Sequence, residues 1–272
     1  MKKHLSTIIL ILVFLTGLSL LLYPTVSDYW NSFHQSRAIA TYAEQVAGMD
    51  DDTYGEMWAA TQAYNQRLAQ RENPLMQSEE DLAEYESLLD IAGSGVMGYI
   101  EIPELKVSLP VYHGVDEGVL QIAVGHIPGT SLPTGGEGTH SVLSGHRGLP
   151  SARLFTDLDQ LREGDTFLLR ILDETLTYEV DQILIVEPYE MGALSIETGK
   201  DYCTLVTCTP YGINTHRLLV RGHRVENQEE AKTVRVTADA LQIEPVIVAP
   251  LVAVPMLLAL LILLLVKTRR KK

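Results

Sequence analysis

Cys208 and Arg217 lie nine residues apart in the stretch YCTLVTCTPYGINTHRLLVRG, residues 202–222. Thr204 to Thr207 are β-branched or apolar, which suits a strand. Pro210, Gly212 and Asn214 supply turn chemistry. The stretch predicts a strand over 202–207, a turn that carries Cys208, and a second strand that carries Arg217. A thiol facing a guanidinium across a hairpin has a chemical use: the cation favours the nucleophilic thiolate, and Arg keeps its charge at any working pH. A lone Cys at a strand end can equally be a small buried hydrophobe, so the nucleophile reading needs a base. One is present upstream, in GHIPGTSLPTGGEGTHSVLSGHRGLPSARLF, residues 125–155. Thr139–Ser144 reads as a short strand, and His146 stands at its polar exit between Gly145 and Arg147-Gly148. That position is poor for core packing and good for proton transfer near neutrality.

The remaining reactive side chains divide differently. Cys203 is five residues before Cys208, so the two point to opposite faces of one strand and are not expected to pair. Cys203 reads as core. His126, His140, His216 and His223 form no HxxxH pair, no CxxC is present, and no EF-hand spacing appears, so no metal is expected. No glycine-rich phosphate loop opens a helix after a strand, and no cofactor is expected. His216 neighbours Arg217 and should face away from it.

The elements that must position these residues lie between two apolar ends. Ile8–Tyr23 follows Lys2 and Lys3, and Val246–Val266 precedes Lys267, Arg269, Arg270, Lys271 and Lys272. Counted from Leu5, the first run approaches the roughly 20 residues a membrane helix needs, and the second meets it. A cleaved signal peptide is the other reading of the first run, and the lack of a small-x-small site after Tyr23-Pro24 argues against it. Basic flanks at both ends predict cytoplasmic termini and an extracytoplasmic middle. Seven of the 21 Lys and Arg lie in these flanks, which leaves 14 basic against 35 acidic residues between them, a net of −21. Such a surface excludes nucleic-acid binding.

Apolar spacing predicts helices over 27–48, 50–70 and 78–89. From Gly98 the pattern turns to β, with strands expected at 99–102, 107–112, 139–144, 166–172, 175–186, 202–207 and 217–225, a short helix or turn at 116–124, and a helix over Ala152–Leu161. Many short strands separated by turn residues suggest a closed barrel. The predicted division is a transmembrane segment at 1–26, a helical region at 27–92, a barrel domain at 93–226, a linker at 227–245, a second transmembrane helix at 246–266 and a basic tail at 267–272.

The TLVTC run with its downstream Arg, and the strand-end His about sixty residues earlier, resemble the sortases, the cysteine transpeptidases of Gram-positive surfaces. GHIPGTSLPTGG, THSVLSGHRGLPSARLFTDLDQLREGD and DYCTLVTCTPYGINTHRLLVRGHR are similar to the pilus-building class C branch. The resemblance implies a mainly β fold with an eight-stranded barrel, and roles for Cys208 as nucleophile, His146 as proton carrier and Arg217 as oxyanion donor. It implies cleavage of an LPXTG-type sorting signal at Thr–Gly and transfer of the acyl group to a pilin lysine amine, on a membrane-anchored enzyme. Class C relatives often carry a lid built on Asp-Pro-aromatic. Within residues 71–76 this chain has Asn73-Pro74-Leu75, lacking both carboxylate and ring, so a weakly held lid or a plain linker is expected. Ser131–Gly136, SLPTGG, looks like a sorting signal but reads as a structural loop. Two other functions stay open: a sortase that attaches single proteins to peptidoglycan, and a membrane-tethered binding scaffold without catalysis.

Overall fold

The computed structural model describes residues 2–91 and 93–227. Part of the predicted linker, the second transmembrane helix at 246–266 and the tail at 267–272 lie outside the described residues.

The first helix, α1, runs unbroken over Lys2–Ala47. The apolar run and the helix expected from residue 27 are one continuous element, with Pro24 inside it. A stretch within Ile11–Ala47 reaches a mean hydropathy of 1.6 and is long and apolar enough to cross a membrane. Two shorter helices follow, α2 (Asp51–Ala69) and α3 (Glu79–Ser87). Asp50 caps α2 by accepting from the Thr53 N–H at 2.8 Å. Ser78 and Asp81 form a reciprocal capping box at the start of α3.

Eight strands then build a closed barrel: β1 (Val96–Ile102), β2 (Val107–His113), β3 (Val124–His126), β4 (Thr139–Ser144), β5 (Thr166–Ile171), β6 (Glu174–Val186), β7 (Asp201–Thr209) and β8 (His216–Val225). Their order around the barrel is β1-β2-β3-β4-β7-β8-β6-β5. Two pairs, β2 with β3 and β4 with β7, are parallel; the rest are antiparallel. Sequence patterning misses β3, because three residues are too few to show alternation. The expected helix over Ala152–Leu161 is also absent. Leu154 adopts a φ of 38°, outside the helical region, and only a single 3₁₀ turn forms, at Leu158–Gln160. Finally, β7 extends through Thr209, so Cys208 belongs to the strand rather than to the turn after it.

The barrel interior holds Ile100, Phe167, Leu169, Tyr178, Leu205 and Val220. Phe167 and Tyr178 stack at 5.6 Å, and a Cβ on Gly222 would lie 2.8 Å from the Phe167 ring, so β8 needs glycine where these rings pass. Cys203 is fully buried beside them, as a core residue should be.

The helices brace the barrel through specific polar contacts. Tyr42 of α1 is buried; its hydroxyl donates to the Met97 carbonyl at 2.9 Å and accepts from the Leu172 N–H at 2.7 Å. Asn65 of α2 pairs with Leu132 much as a neighbouring strand would: the Leu132 N–H donates to Oδ1 at 2.7 Å, and Nδ2 donates to the Leu132 carbonyl at 2.9 Å. Ser131–Gly135 is buried by this contact, so the signal-like segment is part of the wall. Tyr85 of α3 sits against His126, with its oxygen 3.0 Å from Nδ1, while Nε2 lies 2.8 Å from the Ser131 carbonyl.

Candidate active site

The register between β7 and β8 sets Cys208 directly opposite Arg217. Cross-strand partners point to the same face of a sheet, so thiol and guanidinium share the outer face of the barrel wall. Residues 204, 206 and 208 of β7 lie on this face, and 203, 205 and 207 point inward. The parallel pairing of β4 with β7 aligns Ser144 with Val206. Continued by two residues, that register brings His146 beside Cys208. The bonds at the strand exit carry it on: the Gly145 N–H donates to the Val206 carbonyl at 3.0 Å, and the Thr207 hydroxyl donates to the Gly145 carbonyl at 2.7 Å. Gly145 is required here, because a Cβ would lie 2.7 Å from the Phe155 ring.

The three predicted residues thus come to one edge from positions 146, 208 and 217. All are partly exposed, as groups that must meet a substrate need to be. Arg217 Nη1 donates to the carbonyls of Asn214 at 3.3 Å and His216 at 3.1 Å, which holds the guanidinium against its own turn. His216 pairs with Thr209, one position along β8, and so faces the opposite side; its Nε2 lies 3.5 Å from a Glu187 carboxylate oxygen.

Below the Cys208 edge the same face is apolar. Val142, Val206 and Leu219 form its floor, with Leu184, Val186 and Ile127 along its sides and Leu194 over it. The arrangement is a greasy trough leading to a thiol, a guanidinium and an imidazole.

One contributor escapes sequence reading. Arg147, nearly buried, donates from Nη1 to the Thr209 hydroxyl at 3.2 Å and is ion-paired with Asp159. It ties the exit of β4 to the end of β7, flanking His146 and Cys208 on both chains. The signal was an Arg inside the GHRG turn with acids in the nearby TDLD, but Thr209 is 62 positions away.

The tentative lid residues pack on the loop that follows Ile127. Asn73-Pro74-Leu75 forms a turn closed by the Met76 N–H to the Asn73 carbonyl at 3.2 Å. It packs on Gly129: a Cβ there, at a φ of +83°, would lie 2.6 Å from the Pro74 carbonyl oxygen. The loop carrying Gly129 runs beside Val142, which aligns with Thr204, about 13 Å along β7 from Cys208. Among the described residues, no hydrogen bond joins 73–75 to Arg217.

Of the other histidines, His126 is fully buried, and desolvation lowers its pKa to about 4, against the opposing pull of the Ser131 carbonyl. Burial also lowers that of His140, whose Nε2 lies 2.7 Å from the Thr204 hydroxyl oxygen. Both belong to the wall, away from the thiol.

A model of the sortase domain matches residues 100–225. The crystal structure of sortase C1 from Streptococcus agalactiae is 52% identical, with a TM-score of 0.69, covering 71% of this chain and 100% of that one. Clostridium perfringens sortase C, crystallised with the C-terminal cell wall sorting motif, is 44% identical with a TM-score of 0.62, over 70% of this chain and 99% of that one. Sortase D of Bacillus subtilis (strain 168) is 30% identical over 131 residues, 47% of this chain and 63% of that protein's length. A barrel wall that brings Cys, His and Arg to one edge, in a chain half identical to a crystallised sortase C1 over the whole of that crystallised chain, places this protein in the sortase family of cysteine transpeptidases, within its class C branch.

Proposed function

We propose that the chain is a membrane-anchored transpeptidase that cleaves an LPXTG-type sorting signal at Thr–Gly and joins the acyl group to a pilin lysine. The observation that carries this reading is the cross-strand pair Cys208–Arg217, with His146 delivered beside it by β4. The Cys208 thiolate attacks the Thr carbonyl carbon. The oxygen, now negative, is met by Arg217 N–H donors. His146 gives a proton to the departing Gly amine, leaving a thioester on Sγ. The lysine amine then loses its proton to His146 as it attacks the thioester, and Cys208 leaves as thiolate. The product is an isopeptide bond.

The apolar trough of Val142, Val206 and Leu219 suits the Leu-Pro end of such a signal. The structure of Clostridium perfringens sortase C with the C-terminal cell wall sorting motif supports the same substrate class. The catalytic unit is residues 93–226, held outside the cell by α1 and the second apolar run, with both termini cytoplasmic. Asn73-Pro74-Leu75 acts as a loosely held lid over the side of the trough, without the salt bridge that an Asp would make to Arg217.

The test is mass spectrometry of the detergent-solubilised full chain mixed with an LPXTG-type peptide and trapped with acid. An adduct on Cys208 that is missing from Cys208→Ala and strongly reduced in Arg217→Ala supports the thioester. Its absence from the parent protein, with the lid segment both intact and deleted, overturns the enzyme reading. Adding a pilin lysine peptide or a peptidoglycan stem peptide then identifies the acceptor amine.

A further inference from the structure

Beyond Tyr23, α1 presents two different faces. Asp28, Asn31, Gln35, Ile39 and Tyr42 recur every three or four residues and meet the barrel. The Asp28 carboxylate accepts from the Arg153 N–H at 2.8 Å, and Asn31 Nδ2 donates to the Ser151 carbonyl at 2.7 Å. Both partners lie in the loop that leaves His146. The opposite face carries Tyr23, Val26, Tyr29, Trp30 and Phe33, exposed by 58, 54, 48, 64 and 55%. After Phe33 that face changes to Ser36, Arg37 and Glu44, all exposed.

We infer that the Tyr23–Phe33 stripe is a lipid-interface surface, lying in the headgroup layer of the bilayer crossed by the preceding apolar run, and that it lays the His146 loop alongside the membrane. The inference rests on the reading of α1 as a membrane helix. Lipid is the occupant for three reasons. The stripe continues the apolar run without a break in the helix. It is made mostly of the aromatic residues that gather at headgroup level. It ends where charged residues begin.

Geometry adds a constraint. Tyr23 and Phe33 are about 15 Å apart along the helix axis, whereas one headgroup layer is roughly 5–7 Å deep. An upright helix would lift Phe33 clear of the lipid, so for the stripe to stay in lipid the segment after Tyr23 must bend over from the membrane-crossing run. Pro24, which lacks the N–H for a helical hydrogen bond, stands at that junction. The barrel then rides on the upper face of α1. Its Ser151–Arg153 loop is separated from the headgroups by about one helix diameter, roughly 10 Å. An acyl donor that is itself tethered in the bilayer reaches the site without a long spacer.

The test uses the full chain carrying Trp58→Phe, so that Trp30 is the one remaining tryptophan, reconstituted in phosphatidylcholine–phosphatidylglycerol vesicles. The expected result is quenching of Trp30 by lipids labelled near the headgroup, weaker quenching by lipids labelled deep in the chain, and protection from aqueous iodide. Vesicle flotation separates the possible failures. A chain that does not float overturns the membrane reading and the inference together. A chain that floats while iodide reaches Trp30 freely overturns the inference alone, as does iodide protection that vanishes when protein is diluted into excess lipid, since a second copy is then the cover. A second variant, Tyr29→Ser, Trp30→Ser and Phe33→Ser together, is expected to slow turnover of a vesicle-anchored sorting peptide while leaving turnover of the same peptide in solution unchanged. Equal effects on both substrates overturn the inference.

Discussion

Arg217 faces Cys208 directly across the β7–β8 ladder, and the oxyanion role proposed for it depends on shape as well as charge. Arg217→Lys keeps the cation but replaces a planar fork of donors with a single ammonium. We expect kcat/KM on a sorting peptide to fall about 10²–10³-fold, as for loss of one oxyanion donor, with little change in thermal stability because the side chain is partly exposed. A loss below fivefold would mean that Arg217 acts as a general positive charge only. At this scale the sequence singled out the three residues that the strand register brings to one edge. His146, Cys208 and Arg217 are polar or reactive groups at strand ends, where packing gives them little to do. Arg147 was not legible, because its meaning comes from Thr209 and Asp159, and only the folded register brings Thr209 to it.

Elements were legible where local pattern and tertiary contact agree. Long strands such as β6 and β8 show clear alternation, and the capping residues Asp50 and Ser78 mark helix starts. Two elements were misread for physical reasons. The apolar spacing of Ala152–Leu161 suggests a helix, but the segment is drawn into the Arg147–Asp159 pair and the Gly148 N–H bond to the Thr156 hydroxyl, which impose turns. β3 is held by its neighbours rather than by its own three residues. The junction of β3 with α3 makes a prediction about pH. His126 is held neutral in the folded protein, with its pKa lowered from 6.5 to about 4. Its contribution to stability is fully present above pH 6.5 and is lost as pH falls through about 4, because the unfolded chain takes up the proton first. Unfolding free energy measured across that window should drop by about 3 kcal/mol on account of this residue, and the buried His140 acts in the same direction. His126→Asn should be less stable at pH 7 and show a visibly flatter slope; an unchanged slope would assign the pH dependence elsewhere. The lid predicts a kinetic effect. Replacing Asn73, Pro74 and Leu75 with glycines should speed alkylation of Cys208 only modestly, about two- to fivefold, since a loosely held lid opens at a free-energy cost on the order of 1 kcal/mol. An unchanged rate would show that the segment is a linker.

At the scale of the molecule, three helices brace a barrel whose chemistry lies on its outer wall. One of these braces is the buried Tyr42, whose phenol is kept protonated by burial and joins α1 to β1 and to the turn after β5. Tyr42→Phe strands the Met97 carbonyl and the Leu172 N–H, and should cost about 1–3 kcal/mol, read as a lower denaturation midpoint with unchanged slope. A neutral result would mean that α1 is only loosely seated. The strand order holds a further consequence, for what completes the site. β8 is the final strand among the described residues, yet it sits between β7 and β6 and carries Arg217. Without residues 216–225 the sheet has an open seam along β7, and Cys208 has no cation opposite it. The facing of Cys208 by Arg217 is therefore a property of the closed barrel alone, since it exists only once β8 fills the seam between β7 and β6.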